Sequence, residues 1–574
     1  MTETTPVYSG AAHYFRTLPE QWSHRLRSLH AMGLDTVETY LAWNVHEPVE
    51  GDWRRLDDIE RYLDAAAEEG LRVIVRPGPY ICAEWDNGGL PSWLTARAGR
   101  FVRTAHPVFL EPVRRYLDAV VPRFAGHPAL SLVQVENEYG SFGTDAEYLA
   151  ALADGLRERG VTVPLVTSDG PTDIMLTGGT VPGIRATVNF GSNPASAFDA
   201  LATHRPDDEP FCMEFWNGWF DHWGERHHVR SVPSADATLG DILDAGGSVS
   251  LYMAHGGTNF GLWAGANHDG RLQPTITSYD SDAPIAEHGA VTAKFHAFRS
   301  RFVAAGGREL PVPADPVILP ARSVPVVRGA GLLPALGSIA PGSVQPTPPS
   351  FEELGIASGL VLYAAKPRVP LGDIELSVRG LHDRAQVFID GEPVGVLDGD
   401  GSLPVRGTGA RVDLRILVEN QGRINYGPLL GQGKGILGGV QLGRRLVHGW
   451  TATPLALDEW TAAELTALAG ADAGAALDAS TAGFSTARFV LGGDEPADAF
   501  LALPGFGKGF VWVNGFLLGR YWEVGPQTTL YVPAPVLEVG VNTITVLELL
   551  HSGTHLEFRD RPELGPSEEY VETF

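Results

Sequence analysis

The chain has 574 residues, more than one hydrophobic core supports, and its 44% hydrophobic content is ample for several packed domains. Its 43 Lys+Arg stand against 69 Asp+Glu, a formal charge of -26 that repels nucleic acid and anionic membranes and suits an enzyme acting on neutral substrates. Cys82 and Cys212 are too few for a disulfide framework and read as free, buried thiols. The start, Met1-Thr2-Glu3-Thr4-Thr5, lacks a basic region followed by an apolar one. No segment reaches about 18 uninterrupted apolar residues, so the expected location is the cytoplasm.

From the start to residue 304, short β-branched runs alternate with amphipathic stretches, the pattern of repeated βα units. Candidate strands cover 7–10, 36–44, 71–80, 130–140, 164–169, 185–191, 211–216 and 248–260. Between the first two, residues 19–33 space Trp22, Leu26, Leu29 and Met32 as a helix does and stop at Gly33; residues 57–70 repeat the arrangement. Eight such units without a glycine-rich dinucleotide fingerprint predict a (β/α)8 TIM barrel over 1–304, with chemistry at the C-terminal ends of its strands. Polar and aromatic residues gather at those ends: Trp43-Asn44, Arg76 to Tyr80, Asn137-Glu138, Glu214 and Trp216.

Residues 305–350 are rich in Pro and Gly and read as a connector draped over the barrel. Residues 351–460 alternate in short strands, such as 374–379, 385–389 and 412–418, with Asp390-Gly391 as a hairpin turn, and predict a β-sandwich. Residues 461–574 predict a second, jelly-roll-like β domain, with strands at Gly509 to Asn514 and at Asn542 to Glu548; the Ala/Gly-rich run 461–483 reads as a helix plus a loop.

Two carboxylates stand out. In Val133-Gln134-Val135-Glu136-Asn137-Glu138, strict alternation places Gln134, Glu136 and Glu138 on one face, with Glu138 at the strand end, where it can donate a proton to a glycosidic oxygen. An Asn-Glu pair is common by chance, and a surface or ion-paired carboxylate is the competing reading. Glu214 lies among aromatics in Phe211-Cys212-Met213-Glu214-Phe215-Trp216, where an unpartnered carboxylate is costly and function is the more economical reading. Two glutamates at separate strand ends of one barrel are what glycoside hydrolysis needs. A gap of about 5–5.5 Å gives retention and about 6.5–9.5 Å inversion, and the residues themselves leave that choice open.

Several motifs resemble those of glycoside hydrolase family 35 and occur in the family's order. They are Gly10-Ala11-Ala12-His13-Tyr14-Phe15-Arg16, Thr39-Tyr40-Leu41-Ala42-Trp43-Asn44, Arg76-Pro77-Gly78-Pro79-Tyr80-Ile81-Cys82-Ala83-Glu84-Trp85, Glu136-Asn137-Glu138-Tyr139-Gly140, Glu214-Phe215-Trp216-Asn217-Gly218-Trp219, Tyr252-Met253-Ala254-His255-Gly256-Gly257 and Thr277-Ser278-Tyr279-Asp280. The C-terminal half adds Gln421-Gly422-Arg423-Ile424-Asn425-Tyr426-Gly427 and Leu518-Gly519-Arg520-Tyr521-Trp522, which in relatives belong to accessory β domains. The resemblance implies a retaining exo-β-galactosidase with Glu138 as acid/base and Glu214 as nucleophile. It places Tyr40, Cys82, Ala83, Glu84 and Asn137 on the galactose hydroxyls, with Tyr252 and Tyr279 completing the pocket. The expected partner is a β-galactoside oligosaccharide or glycoconjugate, with neither nucleic acid nor membrane; a homo-oligomer is left open.

No cofactor or metal is implied, and His46, His222 and His255 show no His-Glu-x-x-His spacing. Rival readings make Glu84 a salt-bridge partner of Arg76, and Glu47 and Glu136 supports for Arg76 or a nearby amide. The loop 262–271 is expected to border the leaving-group side. At the level of function, an exo-β-glucosaminidase of the same family and a catalytically silent galactoside-binding protein are the alternatives.

Overall fold

A computed structural model describes residues 6–470, 482–492 and 496–572. Eight parallel strands close into a barrel: β1 (Tyr8–Ala12), β2 (Thr36–Tyr40), β3 (Arg72–Arg76), β4 (Leu130–Gln134), β5 (Leu165–Asp169), β6 (Arg185–Phe190), β7 (Phe211–Trp216) and β8 (Ser248–His255), which pairs back with β1. Helices cover the outside, so strands such as β7 are buried along their whole length and read as continuous apolar runs. The helix Asp57–Glu68 shows how the covering works. Ile59, Tyr62, Leu63 and Ala66 fall on one buried stripe, and Asp57, Asp58 and Glu60 complement the positive N-terminal end. Cys82 and Cys212 are free and buried. Among the described residues, no helix is long and apolar enough to cross a membrane.

All eight expected strands form, but four end early. The runs 36–44, 71–80, 130–140 and 248–260 give strands that stop at Tyr40, Arg76, Gln134 and His255. Beyond β3 and β4 the backbone enters left-handed conformations that no strand tolerates: Cys82, Ala83 and Glu84 at φ 56°, 58° and 48°, Glu136 at 60° and Glu138 at 47°. The expected alternation of Gln134, Glu136 and Glu138 on one face therefore fails. Glu136 turns back to pair with Arg103, and Glu138 turns into the barrel mouth.

The remaining chain is all-β. A five-stranded and a four-stranded sheet face each other across a core of Val361, Tyr363, Leu376, Val378 and Ile416. Asp390 and Gly391, both at positive φ, turn Arg384–Ile389 into Glu392–Asp398 as a tight hairpin. An eight-stranded sheet follows, and strands near its two ends share the core of Val511, Ile544, Leu501 and Val532. One of its inner strands, Arg322–Gly331, comes from the stretch expected to be a connector. Pro325 and two glycines mask a β-branched run there, in which Val324 is buried and Val326 partly so while Pro325 and Val327 face out. The helix expected after 461 is Ala462–Gly470; the loop expected after it lies outside the described residues.

The two β regions are joined by a buried ion cluster. The Glu419 carboxylate accepts from Lys508 Nζ at 2.6 Å and from Arg520 Nε at 2.8 Å. Glu419→Gln would leave two buried cations facing one neutral amide. We expect a loss of about 3–5 kcal/mol in the unfolding transition of the β regions. Guanidinium titration followed by circular dichroism checks this, and a shift below about 1 kcal/mol would refute it.

Candidate active site

A cavity of about 340 Å³ opens at the C-terminal ends of the barrel strands. It is lined by every expected site residue: Tyr40, Cys82, Ala83, Glu84, Asn137, Glu138, Glu214, Tyr252 and Tyr279. Tyr40 closes β2, Glu214 lies in β7 and Tyr252 in β8, while the others sit on the loops after β3, β4 and β8. The barrel thus converts separations of well over a hundred residues into one cluster.

Arg76 stands behind this cluster, fully buried. Its guanidinium donates to Glu38 Oε1, to Asn137 Oδ1 at 2.5 Å and to Glu214 Oε1 at 2.5 Å, and lies over the Tyr40 ring at 4.1 Å. The Tyr40 hydroxyl donates to the same Glu214 oxygen at 2.8 Å, and Trp216 Nε1 to the other at 3.2 Å. Glu214 thereby accepts from one cation and two neutral donors. Glu138 meets a different environment. Its Oε1 accepts from the Asn189 amide at 3.1 Å. Burial first, and the Glu214 charge second, push its pKa up to about 8. Two carboxyl groups on one cavity thus stand in unlike surroundings, Glu214 among three donors and Glu138 beside a single amide with its pKa raised by burial.

The left-handed turn at Cys82, Ala83 and Glu84 is supported from below. Arg16 donates to the Ala83 carbonyl and to Asn259 Oδ1 at 2.9 Å, and its guanidinium stacks over Tyr279 at 3.7 Å. Glu84 accepts from the Tyr279 hydroxyl. Burial raises the Glu84 pKa despite Tyr279 and Arg16, which both favour the charge. Glu84 is therefore aimed at Tyr279, and the salt bridge to Arg76 goes instead to Glu38, a residue that sequence reasoning passed over. Its signal was present: a charged residue in the middle of a fully buried strand. Glu136 pairs with Arg103 at 2.6 Å and accepts from the Asn137 amide, and Glu47 accepts from Trp43 Nε1 and the Gly51 amide, so neither touches Arg76.

The candidate histidines are separately engaged. His46 meets Tyr14, His222 meets Glu225 and Asn267, and His255 meets Thr17 and the Ile285 carbonyl. Among the described residues, no group of three or more His, Cys, Asp and Glu side chains is arranged to hold a metal ion. The cavity also has lining from outside the expected site residues: Trp219, Phe220, Asn267, Ser281, Tyr426 and Glu572. Asn267 belongs to the loop expected at the leaving-group border.

Residues 2–304 match the family model of glycosyl hydrolases family 35, residues 348–456 match that of a β-galactosidase first all-beta domain, and residues 482–542 that of a β-galactosidase galactose-binding domain. The chain belongs to glycosyl hydrolases family 35, and is a glycoside hydrolase. It is 38% identical to a β-galactosidase of Macaca fascicularis, over 98% of this chain and 88% of that one. To a β-galactosidase of Bos taurus it is 37% identical, over 96% and 90%.

Because Glu214 contributes to the raised pKa of Glu138, Glu214→Gln should lower it. We expect a ¹³C-labelled Glu138 carboxyl to titrate near 8 in the parent protein and clearly lower in the variant. An unchanged midpoint would show that the two groups do not sense each other.

Proposed function

We propose that the chain is a retaining exo-β-galactosidase that removes terminal, non-reducing β-D-galactosyl residues. The observation that supports this best is the pair Glu138 and Glu214 on one cavity, the second held by Arg76, Tyr40 and Trp216, beside a polar end furnished by Tyr40, Glu84, Asn137, Tyr252 and Tyr279. Phenols, an amide and a carboxylate of this kind can hydrogen-bond the hydroxyls of a single sugar, and a burial this deep suits a chain end rather than an internal unit.

Arg76 and Tyr40 hold Oε1 of Glu214, which leaves Oε2 to attack the anomeric carbon. As the glycosidic C–O bond breaks, Glu138 gives its proton to the departing oxygen, and a galactosyl ester on Glu214 remains. Esterification removes the Glu214 charge that helped raise the Glu138 pKa. The Glu138 carboxylate is thereby poised to take a proton from the water that attacks the anomeric carbon of the ester, freeing galactose and restoring both groups. The same cycle sets the pH dependence. Glu138 is protonated below about 8, so kcat/KM for alkyl galactosides should fall as pH rises past that value. With a dinitrophenyl leaving group, which needs no proton, the alkaline decline should be weaker.

The deciding experiment uses 2-deoxy-2-fluoro-β-galactosyl dinitrophenolate. We expect a trapped adduct on the peptide that contains Glu214, and a loss on the order of 10⁴-fold or more in Glu214→Gln. Release of α-galactose as the first product, read by NMR, would mean inversion. Preference for a glucosaminide over a galactoside would change the sugar, and galactose binding without turnover would leave only a binding protein.

A further inference from the structure

The end of the described chain returns to the barrel mouth. Ser567–Glu569 pairs in parallel with the short strand His227–Val229, and the Tyr570 amide continues the ladder to the Val229 carbonyl at 2.8 Å. Ser231 Oγ donates to Glu569 at 2.7 Å. The Tyr570 ring packs on Trp219 and His228 at centroid distances of 5.1 and 4.9 Å, and its hydroxyl donates to Glu572 Oε2 at 2.6 Å. The backbone of Glu572 lies against Gly191, where an added Cβ would come within 2.8 Å of the Glu572 carbonyl oxygen.

This anchoring says which side of the cavity Glu572 occupies. Gly191 follows the end of β6, two residues beyond Asn189, the residue whose amide bonds Glu138. A proton donor must stand beside the glycosidic oxygen, so the wall next to Glu138 is the leaving-group wall. Tyr426, from the first β domain, reaches the same wall through its phenol beside Ser141 and Glu138. The lining carries Glu84, Glu138, Glu214 and Glu572 and, among the described residues, no Lys, Arg or His. Glu84 and Glu214 belong to the sugar-holding end, and Glu138 enters the reaction protonated. The Glu572 carboxylate is then what gives the leaving-group side its charge.

We propose that Glu572, carried to the barrel mouth by the C-terminal segment 566–572, determines specificity at the leaving-group side, admitting neutral and amine-bearing leaving groups and rejecting those that carry a carboxylate, sulfate or phosphate. The mechanism is like-charge repulsion in a partly desolvated cleft, a device that selects by penalising the wrong partner. The proposal rests on the galactosidase reading above.

The test uses three aryl β-galactosides whose rings carry a para carboxylate, carboxamide or aminomethyl group. Their kcat/KM values are measured at low ionic strength in the parent enzyme, Glu572→Gln and Glu572→Lys. Each value is divided by that of the carboxamide in the same protein, which cancels any general effect of the substitution on catalysis. We expect the carboxylate ratio to rise about five- to tenfold in Glu572→Gln and further in Glu572→Lys, with the aminomethyl ratio moving the other way. In the parent enzyme, 1 M salt should compress the spread of the three substrates, a readout that needs no variant. Ratios within twofold of the parent in both variants, or a spread insensitive to salt, would overturn the assignment of Glu572. No turnover of the carboxamide galactoside by the parent enzyme would instead overturn the galactosidase reading, and this proposal with it.

Discussion

The structure turns on a buried guanidinium. Arg76 has no access to water, and its neighbours must supply the counter-charge that water would have given. Glu38 does so from below, tied in turn by Ser250 Oγ at 2.6 Å, and Glu214 does so from the cavity side. Together with Arg16 beneath Glu84, two guanidiniums stand among four carboxyl groups, Glu38, Glu84, Glu138 and Glu214. Burial raises the pKa of three of them, Glu38, Glu84 and Glu138. Binding protons is one way to settle such an imbalance, and Glu138, its pKa pushed up to about 8, holds one at neutral pH.

The loops that present these groups depart from relaxed geometry. Cys82, Ala83, Glu84, Glu136 and Glu138 all take left-handed backbone conformations without being glycine, each at a cost of about 1–3 kcal/mol. The surrounding contacts hold them there. Arg16 fastens the Ala83 carbonyl, Arg103 grips Glu136 and the Asn137 carbonyl, and the Gly140 amide donates to buried Asp169 at 2.7 Å. These supports lie outside the cavity yet fix the direction in which its carboxyl groups point, which is how a barrel of ordinary strands acquires a specific mouth.

Much of this was legible in the sequence. The eight strands and their polar C-terminal ends follow from periodicity, because a parallel barrel buries both faces of each strand and leaves chemistry to the loops. The order of the motifs brought out the residues that meet in the cavity. Three things were hidden, each for a physical reason. Alternation past Gln134 fails because left-handed residues redirect Glu136 and Glu138, and nothing in their side chains announces that conformation. The strand Arg322–Gly331 was obscured by Pro325, whose ring faces outward and disturbs little. The contributions of Tyr426 and Glu572 could not be read because proximity across domains leaves no local pattern in either segment.

That last point bears on how the enzyme comes into being. The residues proposed to hold the sugar, from Tyr40 to Tyr279, belong to the barrel, which leaves the ribosome before the β domains. The proposed wall around the departing group adds Tyr426 from the next domain and residues near 572, which are made later still. Recognition of the sugar and recognition of what the sugar is attached to are therefore acquired at different moments of synthesis. A nascent chain would already own a catalytic centre while its choice of substrate was still being written.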